Sequence, residues 1–288
     1  MATLRAIRAR IKGIRNTQQI TRAMKMVAAA KMRRAQERMF SARPYAAEIK
    51  EMIQGLIRNV EDARSPLLQV RPVERLTLVV VTADRGLCGA FNHNVIRRAE
   101  EEVRAAGDID VSLVCVGRKG YDYFRKRNYT IANSYVNIFN NLNFQHAHQI
   151  AEFLMREFIE ARTDAVRLVF NEFKNVVQQN LIVEGLLPLQ PESFEDIPQV
   201  DYIYEPSREE LLEALLPRYV KTRVWRALLE SNASEQAARM VAMDNATENA
   251  EDLIRRLTLQ YNKARQESIT KEILDIVGGA EALRKASG

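Results

Sequence analysis

RYVKTRVWRALLESNASEQAARMVAMDNATENAEDLIRRLTLQYNKARQESITKEILDIV, residues 218–277, runs for 60 positions without a glycine or a proline. At 1.5 Å of rise per residue, an unbroken helix over this stretch is about 90 Å long. Met243, Thr247, Ala250, Ile254, Leu257, Tyr261 and Ala264 recur on it at alternating spacings of four and three, the stripe by which two helices wind together. A second such stretch opens the chain, where Gly13 alone interrupts the first 43 residues. Leu4, Ile7, Ile11 and Ile14 start its stripe, which continues less apolarly through Gln18 and Thr21 to Ala28, Met32, Ala35 and Met39. Its helix is about 65 Å long. Neither helix fits inside a compact globule of 288 residues. Two long stripes in one chain predict that the helices pair.

Between them the pattern changes. Leu76–Thr82 (LTLVVVT) and Val111–Val116 (VSLVCV) are continuous apolar runs that end near Gly86 and Gly117, as buried parallel strands do. Asn92 is placed to cap a helix that runs through Val103. A short helix near Tyr121–Lys126, a strand around Thr130–Val136, an amphipathic helix over Phe144–Ala161 and a strand at Val166–Phe170 follow. Alternating strands and helices predict an open α/β, Rossmann-like sheet with right-handed crossovers. Pro188, Pro191, Pro198 and Pro206 mark an irregular passage, and Pro217 is expected to kink or start the last helix. The fold class is therefore α/β: a long antiparallel two-helix coiled coil made by the chain ends, with the α/β domain inserted between them. The boundaries read as an N-terminal coiled-coil helix over 1–60, an α/β foot domain over 74–205 and a C-terminal coiled-coil helix over 207–286.

Composition narrows the function. With 47% hydrophobic and 28% charged residues the chain folds around a core and is not disordered. No apolar run approaches the roughly 20 residues of a membrane helix, and MATLRAIR is no signal peptide, so a soluble cytoplasmic protein is expected. Cys88 and Cys115 lie in apolar segments and read as reduced, buried thiols. Residues 1–50 hold 13 Lys and Arg against only Glu37 and Glu48, although the whole chain carries a net charge of +6. Such a segment calls for an acidic partner: nucleic acid, anionic lipid or an acidic protein surface.

Catalytic chemistry is hard to find. The loop TADRGLCGAFN, residues 82–92, lies after a buried strand and before a helix, where α/β folds hold phosphate. It lacks both G-x-G-x-x-G and G-K-[ST], so no nucleotide cofactor is expected. Cys88 beside Arg85 has the form of an activated thiol, but without a nearby base a buried thiol fits better. His146 and His148 alternate without completing a metal site. No cofactor and no metal are predicted.

Several motifs together carry a resemblance. IRARIKGIRNTQQITRAMKMVAAAKMRRAQ at 7–36, DRGLCGAFN at 84–92, ASEQAARMVAMDNATENA at 233–250 and YNKARQESITKEILDIVGGA at 261–280 resemble the gamma subunit of bacterial F-type ATP synthase, in order and across the whole chain. The resemblance implies a non-catalytic rotor shaft, the central stalk that turns inside a ring of alpha and beta subunits while its lower end binds the epsilon subunit and the membrane c-ring. It implies one copy per complex, no nucleic acid, and a peripheral position on the cytoplasmic face of the bacterial cell membrane. It places Met24, Arg85 and Cys88 near acidic beta levers. Arg265, Gln266, Thr270 and Glu272 match polar contacts with beta. Ile273, Leu274, Ile276 and Val277 match an apolar bearing, and Tyr202, Tyr204 and Glu205 match the foot near the c-ring and epsilon. Asp244 departs from the family, whose members often carry lysine there, and no cysteine-bearing insertion for thiol control is present.

Two other readings stand beside this one. An RNA-binding protein with a basic coiled-coil arm would show basic residues on both helices, yet Arg239–Glu272 balances six Lys and Arg with six Asp and Glu. A nucleotide-hydrolysing α/β enzyme would need the 82–92 loop to bind phosphate.

Overall fold

The computed structural model describes residues 3–58, 65–176, 178–189 and 207–286. Helix α1 spans Leu4–Arg58 and continues through Pro44. Strand β1 (Arg75–Val81), helix α2 (Phe91–Ala105), β2 (Asp110–Val116), α3 (Arg118–Arg125), β3 (Ile131–Tyr135), α4 (Phe144–Ile159), β4 (Ala165–Phe173) and β5 (Gln179–Leu187) follow. Helix α5 then runs unbroken over Arg208–Ala286. Pro217 lies inside it and neither starts nor ends it. Contacts divide the chain into two compact units, one made by the ends up to Val27 and from Ala242, the other by Ala28–Val241.

The larger unit is built on a five-stranded sheet in the order β3-β2-β1-β4-β5. β1 pairs in parallel with β2 and β4, and β2 with β3, as the apolar runs predict. β5 is the departure. It returns antiparallel beside β4, making the sheet mixed. Neither glycine nor proline announces a turn between Phe173 and Gln179, so the hairpin left no mark in the sequence.

Alternate strand residues enter two apolar layers, the period of two expected of a pleated strand. Val79, Val114, Leu168 and Phe170 pack with α4 and with the buried faces of α1 and α5. Leu78, Val80, Leu113, Cys115 and Val169 pack with α2 and α3. Because both faces are covered, the central strands read as continuous apolar runs without alternation. From α1 the predicted stripe delivers Met32, Ala35 and Met39 to this core, extended by Ile49 and Ile53.

Two local constraints hold the sheet's ends. At one, the buried Asp164 carboxylate accepts from the backbone amides of Glu74 and Arg75 at 3.3 and 3.0 Å and from Arg75 Nε and Nη2 at 3.2 and 3.1 Å. Burial alone would raise its pKa, but the Arg75 guanidinium and these amides outweigh burial and hold it below the ordinary carboxylate value. At the other, Gly117 adopts φ +93°, and a Cβ there would meet the Thr82 carbonyl oxygen at 2.0 Å.

Gly117→Ala should therefore cost about 3 kcal/mol or more in chemical denaturation, whereas Gly13→Ala, on an open helix face, should gain about 0.5–1 kcal/mol. A folded-state pKa below the unfolded one gives stability that is present above the unfolded value and lost as pH falls through the folded value. Thermal midpoints should thus drop below about pH 4. The drop should be smaller in Asp164→Asn, which has no charge to lose.

Candidate functional site

The smaller unit is a two-helix pairing. Thr21 and Thr247 hydroxyls meet at 2.8 Å, Lys25 Nζ donates to Asp244 Oδ1 at 2.5 Å, and Arg8 Nη2 donates to the Tyr261 hydroxyl at 2.7 Å. Seventeen positions from Arg8 up to Lys25 match seventeen from Tyr261 down to Asp244, so the helices are antiparallel and in constant register. The covered positions of α1 are the predicted ones, Leu4, Ile7, Ile11, Ile14, Gln18 and Thr21, and on α5 they run from Met243 to Tyr261, Ala264 and Ser268. Among the described residues α1 starts at Leu4, so the register leaves α5 without a partner from α1 beyond about residue 265. From Ile269 to Ala280 every side chain is exposed.

The second candidate region lies in the larger unit, at the carboxyl ends of the parallel strands. In doubly wound sheets ligands bind where strand order reverses, here between β1 and β4. That place is occupied by α5. Glu230 Oε2 accepts from the Phe173 amide at 3.0 Å, Ser234 Oγ donates to the Asn171 carbonyl at 3.2 Å, and Arg239 Nη1 donates to the Gly86 carbonyl at 2.5 Å. Ala227, Ser231, Ala233, Ser234 and Ala237 are buried there. Side chains this small let a helix approach strand ends and loop closely.

The loop is tied internally as well. Asp84 Oδ1 accepts from the amides of Arg118 at 3.0 Å and Asn137 at 2.7 Å, and Oδ2 from Phe139 at 3.4 Å, so one carboxylate joins the ends of three neighbouring strands. Asn92 is not the cap of α2, whose N-cap is Ala90. Its Oδ1 instead accepts from the Ala83 amide at 2.8 Å and its Nδ2 donates to Cys88 Sγ at 3.2 Å. Leu87 and Gly89 take φ of +64° and +57° in the turn. Cys88 is 1% exposed among Ala83, Phe91 and Ala238. Burial pushes its thiol pKa up, and the Glu235 carboxylate adds to the rise. Cys115 is pushed up to about 12 by burial. Neither is an activated nucleophile.

His146 forms a capping box with Asn143 at the start of α4, and His148 pairs with Glu152 at 2.9 Å. Among the described residues no group of three or more His, Cys, Asp or Glu could hold a metal, and no helix is long and apolar enough to cross a membrane.

The sequence-predicted residues sort themselves by exposure. Met24 is half-buried beside the helix pairing, whereas Arg265, Gln266, Thr270 and Glu272 are exposed. Ile273, Leu274, Ile276 and Val277 are 55–72% exposed on the unpaired end of α5. Arg85 faces outward, but Cys88 beside it does not, and the loop's outward apolar residue is Leu87 at 65% exposure. Tyr202, Tyr204 and Glu205 lie outside the described residues. Sequence reasoning missed Glu235 and Arg239, an ion pair at 2.6 Å with side chains 7% and 12% exposed. Their signal was a helical spacing of four inside a run rich in small residues.

A sequence model of the ATP synthase family matches residues 3–283. The ATP synthase gamma chain of Chloroherpeton thalassium is 49% identical over 304 aligned positions covering all of both chains. That of Prosthecochloris aestuarii is 51% identical, with 99% of each chain covered. Among solved structures, a chain of the central stalk and c-ring assembly of the Tetrahymena thermophila mitochondrial ATP synthase shares 31% identity at a TM-score of 0.63, covering 79% of this chain and 99% of that one. A chain of the Euglena gracilis mitochondrial ATP synthase rotor shares the fold at a TM-score of 0.66 and 23% identity, covering 92% and 98%.

Lys25 and Asp244 are 39% and 42% exposed, so water screens their attraction. Asp244→Lys should lower the thermal stability of the chain by no more than about 1 kcal/mol, less in high salt. Lys25→Glu combined with it should restore the loss.

Proposed function

The chain belongs to the ATP synthase gamma-chain family, and we propose that it is the central stalk of a proton-translocating F-type ATP synthase, turning c-ring rotation into asymmetric contacts with the catalytic beta subunits. The observation that carries this reading is the antiparallel pairing that ends in an unpaired helix with exposed Ile269, Ile273, Leu274, Ile276 and Val277. A lone chain gains nothing from such a surface, which fits a surrounding partner. Few directional bonds hold an aliphatic side chain to its neighbour, so an apolar collar lets a helix turn.

The mechanism needs no catalytic group on this chain. A shaft set inside a ring of alternating alpha and beta subunits presents a different face to each beta. Each nucleotide site then has a different affinity, and rotation moves those affinities around the ring. This is coupling through differential contacts, with the shaft position as the shared variable. Arg265, Gln266, Thr270 and Glu272 are the polar groups offered to beta near the shaft tip. Met24 offers a polarisable thioether that tolerates a sliding neighbour, and Arg85 offers a charge on the loop after β1. The excess of 13 Lys and Arg over two acids in residues 1–50 suits acidic beta levers through attraction that is long in range and screened by salt. The foot that meets epsilon and the c-ring includes Tyr202, Tyr204 and Glu205. In this reading catalysis stays on the alpha and beta subunits, and one copy serves each peripheral complex at the cytoplasmic face of the bacterial membrane.

Co-expression with alpha and beta subunits tests this directly. One copy retained per ring, with ATPase activity that depends on it, is the expected result, and a chain that purifies alone or with RNA overturns it. Ending the chain after Ile276 should weaken rotation without abolishing it, since a bearing is spread over many apolar contacts. Single-molecule rotation of the truncated complex reads this out, and complete arrest with normal assembly contradicts it.

A further inference from the structure

Arg239 is a largely enclosed cation, its side chain 12% exposed, with two partners on different elements. Its Nη2 meets Glu235 Oε1 at 2.6 Å one helical turn earlier on α5, and its Nη1 reaches the Gly86 carbonyl at 2.5 Å in the turn after β1. Gly86 lies between Arg85 and Leu87, the two exposed side chains of that turn. On the inner side Cys88 and Phe91 pack against Ala238 of α5. The turn therefore touches α5 twice, once through an apolar contact and once through a charge-assisted hydrogen bond. Glu235 is 6% exposed and keeps the guanidinium in place, since a buried cation without a carboxylate would be costly.

We propose that Arg239 is a positioning residue for torque transfer, clamping the Asp84–Gly89 turn to helix α5 so that Arg85 and Leu87 press on a partner from a rigid base. The proposal rests on the central-stalk reading. Without Arg239, Asp84 holds the start of the turn and Asn92 holds Ala83, the Arg85 carbonyl and Cys88 Sγ, while Gly86 and Leu87 are left to flex, and a flexing contact absorbs force. A guanidinium has a planar fork that serves a carboxylate and a carbonyl at once. An ammonium carries its three donors on one nitrogen without the fork, so it does not span partners that two separate guanidinium nitrogens reach.

The test uses two variants of the full chain. Arg239→Lys keeps the charge opposite Glu235 and gives up the Gly86 bond. Glu235→Leu with Arg239→Met removes the ion pair altogether, leaving apolar groups of similar volume and no orphaned charge. Hydrogen–deuterium exchange is expected to show faster exchange at residues 84–89 in both variants, with β1, β2 and β4 protected as in the parent. In the assembled complex, protons pumped per ATP hydrolysed should fall while ATP hydrolysis persists. Unchanged exchange at 84–89 in both folded variants overturns the clamp. Uniform loss of protection across the sheet also overturns it, showing general stability at work. Faster exchange in the turn with undiminished pumping per ATP overturns its part in coupling. Failure of the parent chain itself to join the complex would count against the central-stalk reading, and the exchange experiment would still decide the clamp.

Discussion

The structure depends on one constraint: a helix far longer than any compact core must cover an apolar stripe well beyond that core. Helix α5 meets this constraint in two ways. From Leu212 to Ala237 its buried side chains belong to the core beneath the sheet, and from Met243 to Ser268 its stripe is covered in the pairing with α1. The second part is poor in large apolar groups, because Thr21 faces Thr247 where a leucine would bury more area. Polar positions in such a seam lower stability and fix register. Thr21 with Thr247 and Lys25 with Asp244 fix the register here, and a sliding register would shift every exposed group past residue 265.

The doubly wound sheet shows why a fold is a poor guide to chemistry. Its strand order creates the crevice that nucleotides occupy in other proteins, and the chain fills that crevice with its own helix. Glu230, Ser234 and Arg239 bond to strand ends and to the loop after β1. Asp84, which in an enzyme would be free for a ligand, is taken by backbone amides that follow β2 and β3. The polar groups at this edge hold loops and helix together, and the loop they support is what the surface offers.

Much of this was legible in the sequence, for physical reasons that differ from element to element. Long stripes of period 3.5 are read easily because each turn repeats the message, so both terminal helices and the covered positions along them follow from spacing. The strands β1, β2 and β4 are covered on both faces and read as apolar runs. β5 was invisible. It lies at the edge, is mostly half-buried, and its hairpin carries neither glycine nor proline. Asn92 looked like a cap because the cap rule is local, whereas its partners Ala83 and Cys88 lie in the preceding loop. The Glu235–Arg239 pair resembled any surface ion pair at a spacing of four, and only the tertiary approach of Gly86 makes it distinct. In the 82–92 loop Leu87, at a positive φ, is exposed while Cys88 is enclosed, an arrangement that the apolar order of the sequence does not show.

What remains outside the packing is instructive. Ile20, Met26 and Val27 on α1 and Leu259 on α5 are 56–71% exposed along the paired part of the helices, in addition to the bare end that begins at Ile269. Scattered singly such residues mean little, but here they recur along the outside of one helical pairing and among basic side chains. A stationary partner would favour deep pockets and fixed ion pairs around such a surface. Interspersed aliphatic and basic groups favour instead a partner that is attracted, kept close and allowed to move past. Each contact is then weak, and turning the shaft exchanges one weak set for another at small cost. Stiffness is left to the helix pairing and its register.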